Sequence, residues 1–401
     1  MIINRETYLR KLRPFVDQDL IKVLTGFRRS GKSVLLGLIQ KELLNNGVQE
    51  NQFISLNFEQ RVNLPFTSSD SFYDEVGRRI KAIDKKAYLF FDEIQEVDGW
   101  EQAINSLRVD YDCDMYITGS NAKLLSGELV TYLAGRYVEF TVYPFSFAEY
   151  VMAREDQNPK DLFMQFIEFG GMPYLLNQSS NKEVSMQYLN DLYHSAVLKD
   201  IVQRHNIRDV ALLRRVLMFV IAHIGTSFSA YSISKYFKAE HIPIAPSTIE
   251  GYLRAVEDSF ILHQVKRYDL EGKKLLTTNA KYYVTDHGLR EAILGTNEKD
   301  INLVLENIVF LELKRRGYMV TTGNVKGREI DFIAEQEGKR IYVQVAYLLA
   351  SEETITREFG VYKLVQDNYP KYVLTLDEID FSRNGIKHHH IRNFLLMEDW
   401  G

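Results

Sequence analysis

Val23-Leu24-Thr25-Gly26-Phe27-Arg28-Arg29-Ser30-Gly31-Lys32-Ser33 runs from an apolar strand through a glycine-bounded loop into a helix that begins near Lys32. It matches the phosphate-binding pattern G-x-x-x-x-G-K-[ST] at every position. A loop wrapped around a di- or triphosphate must turn its backbone N–H groups inward. Glycine at the two ends permits that path, and the following helix N-terminus adds partial positive charge. Gly26, Phe27, Arg28, Arg29, Ser30 and Gly31 are therefore expected to cradle phosphates. Lys32 brings a full charge to the β- and γ-phosphates, and Ser33 offers a hydroxyl to a bridging magnesium ion.

Downstream, Ala87-Tyr88-Leu89-Phe90-Phe91-Asp92-Glu93 is an apolar run closing on two carboxylates. It reads as a central parallel strand delivering acids at its C-terminal end, where ligands of open α/β sheets bind. Beside the glycine loop this is the second half of an ATPase site. Asp92 is expected to hold Mg2+ through its water shell, and Glu93 to orient and polarise the attacking water. A further strand, Asp114 to Thr118, leads to Ser120 and Asn121. These two can reach the γ-phosphate or the attacking water, or can simply cap the helix that starts at Ala122. Arg136 precedes the strand Tyr137–Tyr143. It suits either a finger reaching a neighbouring subunit's γ-phosphate or an ion pair inside its own domain.

Taken together, Gly26 to Ser33, Leu89 to Glu93, Ile117 to Asn121, Leu133 to Arg136 and Tyr143 to Tyr150 resemble the prokaryotic AAA+-type ATPases that carry a C-terminal domain of uncharacterised function. The resemblance covers most of the chain. It implies ATP binding and hydrolysis, and it names no client.

The rest of the chain divides near 145, 205 and 295. Residues 1–145 form the expected P-loop core. In 146–205, Phe163, Phe166, Ile167 and Phe169 lie at helical spacing and read as the core of a helical lid. Residues 206–295 suit a winged helix, with a third helix opening at Pro246 and a wing around Gly272. That helix carries Glu250, Glu257 and Asp258 against Arg254, whereas the wing holds Lys266, Arg267, Lys273 and Lys274. DNA contact through this segment and packing against an unidentified protein partner both remain open.

Residues 296–401 resemble the PD-(D/E)xK nuclease fold: Glu306 lies on a helix and Asp331 on one strand, while Gln344 and Ala346 stand on the next strand in place of an acid and a lysine. Glutamine offers magnesium no charge, and alanine cannot act on water. Glu329, two residues before Asp331, shares its strand face. The expectation is a degenerate nuclease-like domain. His388-His389-His390 reads as a surface turn.

The fold expected is thus α/β: a P-loop parallel sheet of AAA+ type, followed by a helical lid, a winged helix and a small α/β nuclease-like domain. The function expected is a Mg-ATP switch, against an ATP-regulated nucleic-acid-processing protein and a non-hydrolysing ATP binder. Composition agrees with a globular chain: 401 residues, 45 % hydrophobic, 26 % charged, net charge −5. The overall charge speaks against a basic coat along the whole surface. One cysteine, Cys113, excludes an internal disulfide framework. No apolar run reaches membrane-spanning length, and the charged N-terminus lacks a signal-peptide core, which points to the cytoplasm without membrane contact. A homo-oligomeric ring is compatible with Arg136 acting between subunits.

Overall fold

Five strands make the first sheet: β1 Ile21–Thr25, β2 Phe53–Asn57, β3 Ala87–Asp92, β4 Cys113–Thr118 and β5 Tyr137–Thr141. Their order is β2-β3-β4-β1-β5, and every pairing is parallel. The structure is a computed structural model and describes residues 2–120, 133–154, 157–177, 181–295 and 297–400. By internal contacts the chain forms two units, Met1–Tyr143 with Asp258–Phe260, and Pro144–Glu257 with Ile261–Gly401.

In the first unit β1 and β3 are buried at every residue, as mostly apolar strands are in a sheet covered on both faces, and the buried Lys22 of β1 is paired with Asp114 of β4. Alternate side chains serve the two faces. Val23, Leu89, Phe91 and Ile117 pack on one side with Phe72, Ile104 and Leu107, which belong to helices Ser69–Ile80 and Trp100–Asp110. Leu24, Phe90 and Tyr116 pack on the other with Tyr8, Leu35 and Ile39, from helices Glu6–Leu12 and Lys32–Asn45. All five strands point the same way, so Thr25, Asn57, Asp92 and Thr118 end along one edge. Because β4 lies between β1 and β3, Thr118 stands between the phosphate loop and the two acids.

The second unit opens with helices Phe147–Met152, Pro159–Phe169 and Lys182–Ala196. Helices Val210–Ala222, Ala230–Ala239 and Pro246–Asp258 follow, leading to a hairpin of β6 Leu262–Asp269 and β7 Lys274–Val284. Then come β8 Met319–Val325, β9 Arg328–Gln336, β10 Lys339–Val345, β11 Lys371–Thr375 and β12 Ile386–His390. These seven strands form one sheet in the order β12-β11-β10-β9-β8-β6-β7. β6 pairs parallel to β8, Arg267 against Thr322 and Asp269 against Asn324. The boundary expected near 295 therefore separates strands of one continuous sheet. Helix Ile301–Arg316 is buried along most of its length, as expected of a helix covered on nearly all sides.

The histidine triplet is a correction: it forms most of β12, not a surface turn. Strand alternation turns His388 and His390 inward, and His388 Nε2 sits 2.9 Å from Thr375 Oγ1. Burial lowers the pKa of all three imidazoles. Three identical amphipathic residues carry no alternation signal, so the strand was hidden.

Candidate nucleotide site

The loop between β1 and helix Lys32–Asn45 has a backbone that glycine alone suits at two points. Gly26 has φ +134°, and a Cβ there would lie 2.3 Å from the Val142 carbonyl oxygen. Gly31 has φ +101° where the helix begins. Between them Phe27 and Ser30 are buried, Arg28 is half-buried and Arg29 is exposed with φ 61°. Arg28 Nη1 lies 3.8 Å from Glu59 Oε1. Lys32 is buried and donates to the carbonyl oxygens of Gly26 at 3.0 Å and Phe27 at 3.2 Å. The loop is thus held curled around its own ammonium.

Facing it are Asp92 and Glu93. Asp92 receives hydrogen bonds from Thr118 Oγ1 at 2.5 Å and Asn57 Nδ2 at 2.9 Å, and its carboxylate is also hydrogen-bonded to the Ser33 side chain. Burial pushes the Asp92 carboxyl above its ordinary value, against those hydrogen bonds. Glu93 stands just past the strand with φ 55° and ψ 50°, a left-handed conformation uncommon for a residue with a side chain. Its N–H donates to Thr118 Oγ1 at 2.9 Å, and its Oε2 accepts from Ser120 Oγ at 3.2 Å and from Gln95 Nε2. Burial alone would raise the Glu93 carboxyl, but Lys32, 4.0 Å from Oε1, with Gln95 and Arg28, holds it below the usual carboxylate range.

The donor set fits a magnesium-bound triphosphate: a hydroxyl and a carboxylate already paired, a buried ammonium beside the loop, and a second, ionised carboxylate next to it. Ser30 Oγ, buried and without a hydrogen-bond partner among the described residues, adds a polar group on the same loop. Thr118, Asn57 and Gln95 were missed from the sequence. Thr118 and Asn57 are polar residues closing strands of otherwise apolar alternation, which is the signal that could have found them. Asn121 lies outside the described residues. A further missed residue is Arg5, which is 1 % exposed and donates to the carbonyl oxygens of Ser30 at 2.9 Å and Tyr143 at 2.8 Å.

Comparison with known proteins follows this geometry. Residues 18–151 match the family described as AAA domain, and residues 160–300 match a domain of unknown function, DUF8612. An uncharacterized protein of Haemophilus influenzae is 38 % identical over 378 residues, covering 93 % of each chain. An uncharacterized protein of Methanocaldococcus jannaschii is 30 % identical, covering 95 % of this chain and 87 % of its own. The chain belongs to the family of these two proteins. Its first part is an AAA-type ATPase domain. In fold alone the chain is similar to the Walker-type ATPase PABY2304 of Pyrococcus abyssi, with TM-score 0.50 and 13 % identity over 73 % of this chain and 96 % of that one. No helix among the described residues is long and apolar enough to cross a membrane.

Within the AAA domain Arg136 stands apart from the other site residues. Its carbonyl oxygen accepts from the Ile21 N–H, at the start of β1, so it occupies the end of the sheet opposite the phosphate loop. The side chain is exposed and donates to Asn105 Oδ1 at 2.9 Å. It takes no part in its own chain's phosphate site.

In the second unit Glu306, Glu329 and Asp331 do converge, and what they converge on is Lys281 of β7. Its Nζ lies 2.8 Å from Glu306, 2.7 Å from Glu329 and 3.6 Å from Asp331. Tyr283 donates to Glu306 Oε1 at 2.5 Å. Burial would lower the Lys281 pKa, yet the three acids raise it, so the ammonium stays charged. Burial and the Glu306 charge push Asp331 up to about 8. Gln344 turns its carbonyl oxygen to the Asp331 N–H, and among the described residues no acid or histidine group is arranged to hold a metal ion.

Proposed function

We propose that the AAA domain hydrolyses Mg-ATP, with Glu93 as general base and Lys32 as the cation on the β- and γ-phosphates. The observation that carries this reading is the Glu93 carboxylate: ionised by its neighbours, oriented by Ser120 and Gln95, and tied through Thr118 to Asp92. Ser33 and Asp92 would hold Mg2+, which supplies charge neutralisation of the phosphates when bound. Glu93 takes the proton of a water whose oxygen bonds to the γ-phosphorus as the bond to the β-phosphate oxygen breaks, releasing ADP and phosphate. Arg136, exposed at the far edge, is assigned the role of a finger acting on a second copy in a homo-oligomer. Solution mass with and without ATP tests it, and a nucleotide-insensitive monomer removes it.

We read the second unit as a helical lid, a winged helix and a nuclease-like fold without nuclease chemistry, which the ATPase switches between states of binding to a partner. Lys281 supports the last point: it fills with an ammonium the place where three carboxylates would otherwise face a metal. Phosphate release by wild type, Lys32→Ala and Glu93→Gln tests the leading reading. Glu93→Gln is expected to bind ATP and lose hydrolysis by about a thousandfold. Equal turnover by that variant would sink the assignment, and tight binding without release in the wild type would make the protein a non-hydrolysing ATP binder.

A further inference from the structure

The second unit carries a cavity of about 590 Å³ in a region with no assigned role. It lies against helix Glu352–Gly360 and the starts of β11 and β12, and Lys363, Lys371, Arg383 and Lys387 line it without a single Asp or Glu. Lys363, Arg383 and Lys387 are exposed, and none has an ion-pair partner among the described residues. Lys371 donates to the Asp367 and Tyr369 carbonyl oxygens at 2.7 and 3.1 Å, Arg383 Nε to the Phe381 carbonyl oxygen at 3.1 Å, and Lys387 to the Tyr372 hydroxyl at 3.5 Å. Arg328 adds a fifth cation, its Nη1 3.7 Å from the place a Cβ of Gly360 would take.

In a chain of net charge −5 this is a local reversal of sign. Like charges gathered around one concavity repel, and of the four lining cations Lys371 alone has a carboxylate near it, Asp367 at 3.6 Å. One exposed aromatic ring accompanies them. Tyr369 is 41 % exposed at the rim, while the Arg383 guanidinium lies 5.1 Å above the buried Phe359 ring.

From this arrangement we infer that the groove binds single-stranded nucleic acid, with phosphodiesters on Lys363, Arg383 and Lys387 and a base against Tyr369. The cations are spread over three separate segments and stay in solvent, as an extended polyanion requires. A free nucleotide would call for buried groups converging on one phosphate. A concave site with an aromatic rim takes a splayed strand, whereas a duplex presents a convex surface with its bases stacked inside. The site is distinct from the hairpin β6–β7, whose Lys273 and Lys274 are the rival basic surface.

The test is fluorescence polarisation of a labelled oligodeoxythymidine of ~20 nucleotides with the full chain, a length that exceeds one such site. Binding is expected to weaken about 20-fold between ~50 and ~200 mM salt, as neutralising roughly three phosphates demands. Lys363→Glu with Lys387→Glu should weaken it by about 20-fold or more, and Tyr369→Ala by about tenfold. Lys363→Gln with Lys387→Gln should fall between, and all these variants should keep wild-type ATP affinity and circular dichroism, which separates lost contact from lost fold. Five results overturn the proposal: no binding by the wild type; binding lost only with Lys273→Glu and Lys274→Glu; a duplex of equal length bound as tightly; full displacement by thymidine monophosphate; or groove-dependent capture by phosphatidylserine vesicles in place of the oligonucleotide.

Discussion

Thr118 Oγ1 donates to Asp92 at 2.5 Å while accepting the N–H of Glu93 at 2.9 Å, so one hydroxyl positions both acids of the nucleotide site. Thr118→Val keeps the shape and removes both hydrogen bonds. Steady-state phosphate release is expected to fall about 10- to 100-fold in kcat, because Glu93 loses the bond that orients it on the attacking water, with a smaller rise in KM from the loosened Asp92. A change confined to KM would count against this role.

Arg5 ties the loop from behind, through the carbonyl oxygens of Ser30 and Tyr143. Arg5→Met leaves two buried acceptors without their donor. ATP affinity, read by titration with a fluorescent analogue, is expected to weaken about tenfold to a hundredfold. Arg5→Lys should recover little of this, since an ammonium lacks the planar fork that reaches both carbonyls.

Lys281 is the counter-ion of Glu306, Glu329 and Asp331, and Lys281→Met strands those charges. Loss of roughly 3–5 kcal/mol of stability is expected at neutral pH, measured by urea denaturation. The sign with pH follows from Asp331, whose folded pKa is raised to about 8. A raised carboxyl contributes stability that is fully present below its unfolded value near 4 and lost as pH rises through the folded one. Without Lys281 that value rises further; between pH 4 and 8 Asp331 is protonated in both folded proteins and adds nothing to the difference, so the deficit of the variant should grow as pH rises above about 8. A deficit that shrinks over this range would contradict the assignment.

Gly171 and Gly288 mark a tight junction in the second unit. A Cβ at Gly171 would lie 2.3 Å from the Phe145 carbonyl oxygen, and one at Gly288 would lie 2.1 Å from that of Phe169. The backbone must move to admit either. Gly171→Ala and Gly288→Ala are each expected to cost roughly 2–4 kcal/mol, visible as a lowered Tm by calorimetry. An unchanged Tm would show that the junction yields freely.

The phosphate loop was legible because its demands are local: two glycines with positive φ, a lysine and a hydroxyl in fixed spacing. Asp92 and Glu93 were legible because they end an apolar strand. Thr118 and Arg5 were not, since their value depends on strand order and on contacts with residues distant in the chain, which spacing does not record. Glu306 and Asp331 were found by resemblance to a nuclease pattern. Lys281 escaped because it comes from a strand of the preceding hairpin, and only the pairing of β6 with β8 brings it near.

That pairing has a mechanical consequence. A hairpin paired through Arg267–Asp269 to β8 cannot swing as a separate flap without breaking that ladder, and a cut at residue 295 would bare two raw sheet edges that invite aggregation. Any push delivered to the helices before β6 travels through the backbone ladder into β8, β9 and β10, so the whole sheet answers as one stiff plate.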